Sequence, residues 1–265
     1  MTLTLSDGPL AAHGPEAVNY EIDGPKHRLL FSVFPRRVRA LLGGETVLDT
    51  TAGMLLHESQ ILPRLYFPLS DLRSDLLEPS DHSTHCPFKG DASYRSIRVG
   101  DQFAENALWL YEQPIDEASW LDGYGSLYWE KMDSWFDEDE EVFVHVRDPY
   151  HRVDVRESSR HVRVLAGDEV VAETSRPKLL SETGVPNRWY IPREDVRTEI
   201  LTSSETTTHC PYKGQASYYS LSAGRTEVED AAWYYPEPLE NALKARDHLC
   251  FMGDAITTEV DGSRL

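Results

Sequence analysis

Short stretches in which apolar and polar residues alternate, closed by glycine or proline, make up most of this chain. Residues 38–42 and 45–50 alternate in this way on either side of Gly43-Gly44. Two-residue glycine turns fit the natural twist of a β-hairpin, and a period of two places one face of each strand against a core. Residues 162–174 show the same arrangement around Gly167-Asp168. The pattern therefore predicts two similar hairpins, one in each half of the chain.

The remaining periodic segments are also short. Residues 63–68, 92–99 and 107–111 have the composition of strands and end at proline, glycine or a polar turn. Residues 104–109 and 239–247 are the two places where the pattern allows a short helix. Because short strands dominate, we predict an all-β fold.

One motif occurs twice. Residues 84–94 read THCPFKGDASY and residues 208–218 read THCPYKGQASY, an offset of 209 − 85 = 124 residues. A single register over so long a span indicates an internal duplication. The same offset superposes, without a gap, Glu58 on Glu182, Arg64 on Arg188, Tyr66 on Tyr190, and Trp109 on Trp233.

The repeat also divides the chain into domains. It begins near His27-Arg28, which the offset places on His151-Arg152. We predict an N-terminal arm at residues 1–24, a first repeat at residues 25–148 and a second repeat at residues 149–265, each repeat having the length of an ordinary domain. The connection between the repeats is short, which favours two domains packed as a pseudo-twofold pair.

Composition excludes several classes of function. The 265 residues carry a net charge of −19, which repels phosphate backbones and anionic membrane surfaces. No apolar run approaches the roughly 20 residues of a membrane-spanning helix, and the first residues lack the pattern of a secretory signal. Three cysteines without a CxxC pair do not suit a disulfide framework. We expect a cytoplasmic protein that binds neither nucleic acid nor membranes, and the oligomeric state stays open.

Two acidic residues stand at equivalent positions after an apolar run. Glu58 and Glu182 each precede an arginine, Arg64 or Arg188, by six residues. A carboxylate at the edge of an apolar segment can gain a raised pKa and act as a general acid or base, and arginine can clamp a carboxylate or phosphate. A buried Glu–Arg ion pair that ties two strands together is the structural alternative.

A lysine lies inside the tight turn of each repeated motif. Lys89 and Lys213 stand between a proline and a glycine, and glycine permits the close backbone approach that ligand loops use. Such a lysine can contact an anionic or carbonyl-bearing ligand, whereas a plain turn with a solvated lysine is the alternative. We therefore predict Glu58, Lys89 and their copies Glu182 and Lys213 as the candidate catalytic residues.

A thiol stands beside an imidazole in each motif, as His85-Cys86 and His209-Cys210. Such a pair can supply a nucleophile or a metal ligand when a nearby cation, here Lys89, lowers the pKa of the thiol. A small buried cysteine next to a histidine that bonds the backbone is the competing interpretation, because adjacent residues on a strand face opposite ways.

The sequence offers few metal ligands. A closed zinc site needs about four ligands, and the histidines His57 and His82 align with Ser181 and Thr206 in the second repeat. We therefore predict no metal and no organic cofactor.

These residues predict one small polar pocket in each repeat. We expect Glu58, Arg64 and Lys89 to converge within hydrogen-bonding or one-water reach, and their copies likewise. Aromatic residues on strands belong more often to a core, and we interpret Trp109 and Trp233 in this way. The predicted ligand-binding residues are Arg64, Tyr66, His85, Cys86 and Tyr94 in the first repeat and Arg188, Tyr190, His209, Cys210 and Tyr218 in the second.

The combined motifs resemble a known family. Glu-Ser or Glu-Thr, then R-x-Y-x-P, THCPxKGxAxY and A-x-W-x-Y, occur in this order in both repeats and are similar to the family known as Domain of Unknown Function 427. The resemblance spans residues 25–265 as a tandem pair. It implies a compact β-tent-like domain, similar in fold to Yippee-type proteins and the cereblon ligand-binding domain, and it implies no particular reaction.

Two classes of function fit this reading. The first is a cofactor-free enzyme that performs acid/base chemistry on a small anionic or carbonyl-bearing metabolite. The second is a non-catalytic module that senses a small ligand or binds a partner protein. A carboxylate of perturbed pKa that meets lysine and tyrosine in one cavity would favour the enzyme, and a shallow aromatic site would favour the binding module.

Overall fold

The computed structural model describes residues 3–4, 8, 11, 17, 19, 21 and 23–265. The chain forms two compact units, the first ending at Tyr150 and the second spanning His151–Leu265. The predicted N-terminal arm lies mostly outside the described residues. Of its described members, Thr4 is buried and its carbonyl accepts a hydrogen bond from the backbone N–H of Gln60 at 3.1 Å.

The first unit is built from antiparallel strands in two sheets. Its strands among the described residues are β1 (Leu29–Val33), β2 (Val38–Leu42), β3 (Glu45–Thr50), β4 (Met54–Glu58), β5 (Ile61–Pro68), β6 (Leu77–Cys86), β7 (Gly90–Val99), β8 (Gln102–Leu110), β9 (Tyr124–Leu127), β10 (Ser134–Asp137) and β11 (Glu140–Val142). A seven-stranded sheet has the order β1-β4-β5-β9-β8-β7-β6, and a four-stranded sheet has the order β11-β10-β2-β3.

The second unit repeats this arrangement strand for strand. Its strands are β12 (Val153–Glu157), β13 (Val162–Ala166), β14 (Glu169–Thr174), β15 (Lys178–Glu182), β16 (Val185–Pro192), β17 (Leu201–Cys210), β18 (Gly214–Ala223), β19 (Thr226–Tyr234), β20 (His248–Phe251), β21 (Ile256–Val260) and β22 (Ser263–Arg264). The sheet orders β12-β15-β16-β20-β19-β18-β17 and β14-β13-β21-β22 match those of the first unit. The prediction of two duplicated all-β domains is confirmed.

Only short 3-10 helices interrupt the strands in the described part of the chain. They are Leu69–Asp71, Ser74–Leu76, Asp116–Leu121 and Trp129–Lys131 in the first unit, and Arg193–Asp195, Thr198–Ile200 and Glu240–Ala245 in the second. The helix allowed at residues 239–247 is therefore present as a 3-10 helix.

The helix allowed at residues 104–109 is wrong, because these residues lie within β8. The register between β7 and β8 shifts between Arg95 and Ile97, and Asn106 has a φ of +49°. This irregularity breaks the strict alternation of buried and exposed side chains that marks a strand. The sequence pattern consequently departs from a period of two although the backbone is extended on both sides.

The predicted hairpins form as β2–β3 and β13–β14. Gly43 and Gly44 both have positive φ, +59° and +78°. Two positive φ values in succession are those of a type I′ turn, which only glycine and a few polar residues adopt without strain. The glycine pair therefore fixes the position of this hairpin.

Each seven-stranded sheet contributes to two hydrophobic clusters, one on each face. In the first unit, Leu55, Phe67 and Ile97 pack with Leu48 and other residues of the four-stranded sheet. The opposite face carries a smaller cluster that contains Leu56, Tyr66 and other aromatic residues. Because neighbouring residues such as Leu55 and Leu56 enter different clusters, the period-two alternation of the strands separates the two faces. We call the face that bears Tyr66, and Tyr190 in the second unit, the aromatic face.

One edge strand of each seven-stranded sheet, β6 in the first unit and β17 in the second, carries a register irregularity at the same place. The register of β6 against β7 shifts between Pro79 and Ser83, and that of β17 against β18 shifts between Ser203 and Thr207. The hydroxyl of Ser80 accepts a hydrogen bond from the backbone N–H of His82 at 3.0 Å. The equivalent bond in the second unit, from the Thr206 N–H to the Ser204 hydroxyl, is 3.1 Å long. Each outer strand thus bonds part of its own backbone through a side chain.

Candidate functional site

A buried ion pair joins two of the predicted residues in the first unit. Glu58 ends β4, and Lys89 lies in the turn between β6 and β7. The backbone N–H of Lys89 donates a hydrogen bond to the Cys86 carbonyl at 3.2 Å. The Lys89 ammonium donates a hydrogen bond to Glu58 Oε2, and both side chains are only 9% exposed. The alternative of a solvated lysine in a plain turn does not describe this structure.

A histidine that the sequence analysis used only as a boundary marker completes the cluster. His27 Nε2 lies 2.8 Å from Glu58 Oε1, so two basic side chains share one carboxylate. The imidazole stacks on the Phe88 ring with centroids 3.6 Å apart, and Phe88 directly precedes Lys89 in the motif. The signal available in the sequence was that histidine recurs as His151 in the common register.

The second unit reproduces the cluster. Lys213 donates to Glu182 Oε2, and His151 Nε2 lies 3.0 Å from Glu182 Oε1. The Tyr212 ring takes the place of Phe88, with its centroid 4.0 Å from that of His151. We call Glu58, Lys89 and His27, and likewise Glu182, Lys213 and His151, the basic–acidic cluster of their unit.

The electrostatics of the second cluster favour a permanently charged carboxylate. Burial by itself would raise the pKa of Glu182, but the hydrogen bond from His151 and the charge and hydrogen bond of Lys213 together outweigh it. The pKa of Glu182 is held at about 2. Opposite charges at hydrogen-bond distance stabilise the ionised form, and here they dominate over desolvation.

No direct hydrogen bond or ion pair joins the arginines to the glutamates among the described residues. Arg64 is exposed on β5, and Arg188 is half-buried on β16. Neither arginine has an ion pair or hydrogen bond to another described residue. The alternative of a direct Glu–Arg ion pair is therefore not found among the described residues. Arg64 shares the aromatic face with Tyr66 by strand alternation, and the Arg188 guanidinium lies 5.9 Å from the centroid of the Trp233 ring. The arginines therefore lie on the aromatic face and make no direct bond to the basic–acidic cluster among the described residues.

A row of cross-strand partners crosses the aromatic face. In the second unit, the directly paired residues are, in order across the sheet, Glu157, Lys178, Tyr190, Cys250, Trp233 and Tyr218. Directly opposite residues place their side chains on the same face of a sheet. In the first unit, Val33 pairs with Met54, and Met54 pairs with Tyr66. Farther across the sheet, Ser126 pairs with Trp109, and Trp109 pairs with Tyr94.

Hydrogen bonds fix the tyrosines and tryptophans of this row. The indole N–H of Trp109 donates to the Tyr66 hydroxyl at 3.0 Å, and that of Trp233 donates to Tyr190 at 3.1 Å. The Tyr94 hydroxyl lies 3.0 Å from the Thr84 hydroxyl, as Tyr218 lies 2.8 Å from Thr208. Burial raises the pKa of Tyr66 well above its ordinary value, so this hydroxyl stays protonated.

Trp109 and Trp233, interpreted from the sequence as core residues, pack against the smaller hydrophobic cluster of their unit. Both are half-buried on the aromatic face and touch the smaller cluster from its edge. Sequence reasoning therefore missed them as members of the candidate site. Their identity in both repeats was the available signal.

The His-Cys pairs divide between two environments. His85 is exposed, with Nδ1 2.6 Å from Asp91 Oδ1, whereas Cys86 is half-buried against the cluster that contains Tyr66. Cys210 occupies the matching place in the second unit. The three cysteines of the chain are free thiols. Burial raises the pKa of the remaining thiol, Cys250, to about 12, which leaves it protonated.

Two further features bear on chemistry. Among the described residues, no group of three or more histidine, cysteine, aspartate or glutamate side chains is arranged to hold a metal ion. No helix within this part of the chain has the length and apolar character needed to cross a membrane.

The fold and the site together define a class: a tandem all-β protein in which each unit sets a buried basic–acidic cluster beside a row of tyrosine and tryptophan. Comparison with family profiles then places the chain. Residues 31–138 and 154–262 match the family described as Domain of unknown function (DUF427). These two segments make up most of the sequence, and the chain belongs to this family. A search of curated proteins finds no significant match.

Proposed function

We propose that each unit binds a small anionic ligand on its aromatic face and catalyses no reaction on it. The observation that carries this proposal is the repeated arginine beside the Tyr–Trp row. Arg64 and Arg188 occupy the same strand position next to Tyr66 and Tyr190. Neither guanidinium has an acidic partner among the described residues.

In the second unit, the ionised state of Glu182 favours binding over catalysis. A general acid or base works best when its pKa lies near the pH of the reaction. The pKa of Glu182, at about 2, leaves a carboxylate that holds almost no affinity for a proton at neutral pH. Its oxygens are moreover engaged by Lys213 and His151. The role that fits is structural positioning of the site.

The cluster positions the site by joining three separate segments. Glu58 ends β4, Lys89 belongs to the β6–β7 turn, and His27 precedes β1. The carbonyl of Lys89 also accepts a hydrogen bond from the Ile115 amide at 3.1 Å. These contacts hold the strands that carry Tyr66 and Tyr94 in a fixed relation. A rigid aromatic row lowers the entropy that a ligand must offset on binding.

Arg64 and Arg188 suit an anionic ligand because most other arginines of the chain already bond a carboxylate, whereas these two do not. Arg36, for example, bonds both carboxylate oxygens of Asp137, and Arg37 does the same with Asp49. A chain with a net charge of −19 offers many acidic partners, yet the Arg188 guanidinium lies near the Trp233 ring instead, and Arg64 occupies the same strand position in the first unit. Guanidinium combines bidentate anion binding with stacking on aromatic faces. A flat carboxylate or a phosphate ester matches both properties.

The test measures binding to the full chain by isothermal titration calorimetry, with 1-naphthoate and citrate as probes. We expect Arg64→Leu combined with Arg188→Leu to weaken binding at least about tenfold, the loss of roughly one charge-assisted hydrogen bond. Thermal unfolding should be unchanged, because neither side chain forms an ion pair with a described residue.

The matched control removes two exposed arginines elsewhere, Arg225→Leu and Arg264→Leu, which changes the net charge equally. These substitutions should leave probe affinity unaltered. Equal weakening by both double variants would attribute binding to overall charge. Retained affinity in the Arg64 and Arg188 variant, or no binding of either probe to the unmodified chain, would overturn the proposed function.

A further inference from the structure

The two aromatic faces share their aromatic residues and differ most at one end. The two tyrosines and the tryptophan are identical in the two rows, as is the neighbouring arginine, whereas Ser126 of the first row corresponds to Cys250 of the second. At the end formed by the first two strands, Val33 and Met54 of the first unit correspond to Glu157 and Lys178 of the second. The register leaves no ambiguity, since Met54 pairs with Tyr66 and Lys178 pairs with Tyr190. This end of the row has therefore changed from apolar to charged.

In the first unit the row continues into further aromatic side chains. The Phe31 ring lies 6.0 Å from Tyr66, 4.9 Å from Trp120 and 5.2 Å from Tyr124, measured between ring centroids. Trp120 and Tyr124 are half-buried, as are Phe31 and Met54. Tyr66 is itself buried, and the half-buried side chains packed against its cluster extend the apolar region from it to the edge of the sheet.

In the second unit the same place carries basic side chains. Trp120 and Tyr124 correspond, at the common offset, to Lys244 and His248. Lys178 forms an ion pair with Glu157 at 2.7 Å. The hydrogen bond and charge of Lys178 lower the pKa of Glu157, and Lys244 and His248 lie close enough to add to this effect. Three basic side chains thus surround one carboxylate in a protein of strongly negative net charge.

The local excess of basic groups has a chemical meaning. Glu157 carries one negative charge and lies close to two lysines, so there is a local excess of positive charge at this end of the face that also bears Arg188. In the first unit, by contrast, Arg64 lies on the same face as apolar side chains that water solvates poorly, and Lys131 lies near the Tyr128 ring at the tryptophan end. The two sites consequently favour anions of different shape and charge.

We propose that the duplicated sites have diverged in specificity: the first binds an aromatic monoanion, and the second binds a polyanion. Met54 and Trp120 select the apolar part of the ligand in the first unit. Lys178 and Lys244 bind the additional negative charge in the second. This inference rests on the proposed function, because it assigns a ligand class to each of the two sites.

The experiment isolates each site within the full chain. Arg64→Leu disables the first site and leaves the second, and Arg188→Leu does the reverse. Calorimetry uses 1-naphthoate as the aromatic monoanion, with citrate and pyrophosphate as polyanions of carboxylate and phosphate chemistry. The Arg64→Leu chain should bind citrate or pyrophosphate at least tenfold more tightly than 1-naphthoate, and the Arg188→Leu chain should show the opposite order. The better of the two polyanions identifies which chemistry the second site prefers.

An exchange of residues then tests the specificity determinants. Glu157→Val, Lys178→Met and Lys244→Trp, introduced together in the Arg64→Leu chain, install the residues of the first unit in the second. The preference should shift at least tenfold towards 1-naphthoate. Since these side chains are exposed or half-buried, the far-ultraviolet circular dichroism spectrum and the melting temperature should stay close to those of the parent.

The outcomes separate this inference from the proposed function. If both single-arginine variants bind the same probe preferentially, or the exchanged residues leave the preference unchanged, the sites have not diverged and only the inference fails. If the arginine substitutions affect the binding of no probe, the aromatic face is not the site and both proposals fail.

Discussion

The two bases that share Glu182 determine how this residue responds to acid. In the second unit, the pKa of Glu182 in the folded state is about 2, below the ordinary value of 4.5. A carboxyl group whose pKa is depressed by folding stabilises the protein when it is ionised in both states. That contribution is complete above pH 4.5 and disappears as the pH falls towards 2.

We therefore expect Glu182→Gln to lower the free energy of unfolding at pH 7, with the difference from the unmodified chain shrinking between pH 4.5 and pH 2. The measurement is urea denaturation across this pH range, followed by circular dichroism. Glu205→Gln serves as the control, because Glu205 is exposed, and it should give no pH-dependent difference. A gap between Glu182→Gln and the unmodified chain that persists at pH 2 would show that the effect comes from packing rather than from charge.

Sequence reasoning reached some of these residues and missed others for physical reasons. The internal repeat singled out Glu58 and Lys89, since folding alone demands apolar character more than a particular charge. It did not indicate that His27 would reach Glu58, because the two are 31 positions apart and meet through the pairing of β1 with β4. Arg64 was grouped with Glu58, yet a register shift between Leu56 and Glu58 interrupts the ladder from β4 to β5. Such irregularities have no signature in the spacing of residues.

At the scale of elements, the turn between β6 and β7 depends on one backbone conformation. Gly90 has a φ of +102°, and Gly214 in the second unit has a φ of +101°. A Cβ atom at Gly90 would lie 3.3 Å from the Gln113 carbonyl oxygen. Because Lys89 directly precedes this glycine, the same backbone geometry directs the lysine into the buried cluster.

Gly90→Ala should consequently cost about 3 kcal/mol of stability, at the upper end of what strained backbone costs. Gly100→Ala is the matched control: its φ of +55° lies in the left-handed helical region, and an added Cβ meets no atom within 4 Å. We expect it to cost only about 1 kcal/mol. Chemical denaturation measures both, and equal losses would mean that crowding and the unusual φ of Gly90 contribute nothing beyond ordinary left-handed strain.

The hairpins, in contrast, were accessible from sequence because their turns are chemically explicit. Gly43-Gly44 allows a conformation that other residue pairs avoid, and the strands on either side alternate regularly. β8 was partly misread as a helix, since Asn106 with positive φ disturbs the alternation there. Local chemistry thus predicts turns well, whereas interruptions within a ladder are set by the neighbouring strand.

At the scale of the whole molecule, each unit contains its own pair of sheets and its own hydrophobic clusters. The larger cluster of the first unit draws on residues from Phe34 to Val146, and that of the second on residues from Val162 to Val260. Neither cluster includes a residue of the other unit. The folding information for each core is therefore contained in its own segment.

Residues 1–150 and 151–265, expressed as separate chains, should each fold. Two-dimensional amide spectra should show dispersed signals for both fragments, with cooperative thermal transitions. A division after residue 100 provides the control, because it separates β7 from β8 within one sheet and should yield unfolded fragments. Collapsed amide dispersion in either of the first two fragments would contradict the assignment of independent cores.

Two copies of one domain in a single polypeptide can exchange strands, because a strand of one copy can pair with a sheet edge of the other. The serine hydroxyls at Ser80 and Ser204 bear on this, since each occupies a backbone N–H on the outermost strand of its sheet. An edge with a kinked register and part of its amides engaged is a poor template for a further strand. The irregular edge that Ser80 and Ser204 help to form is therefore less able to accept a strand from the other repeat.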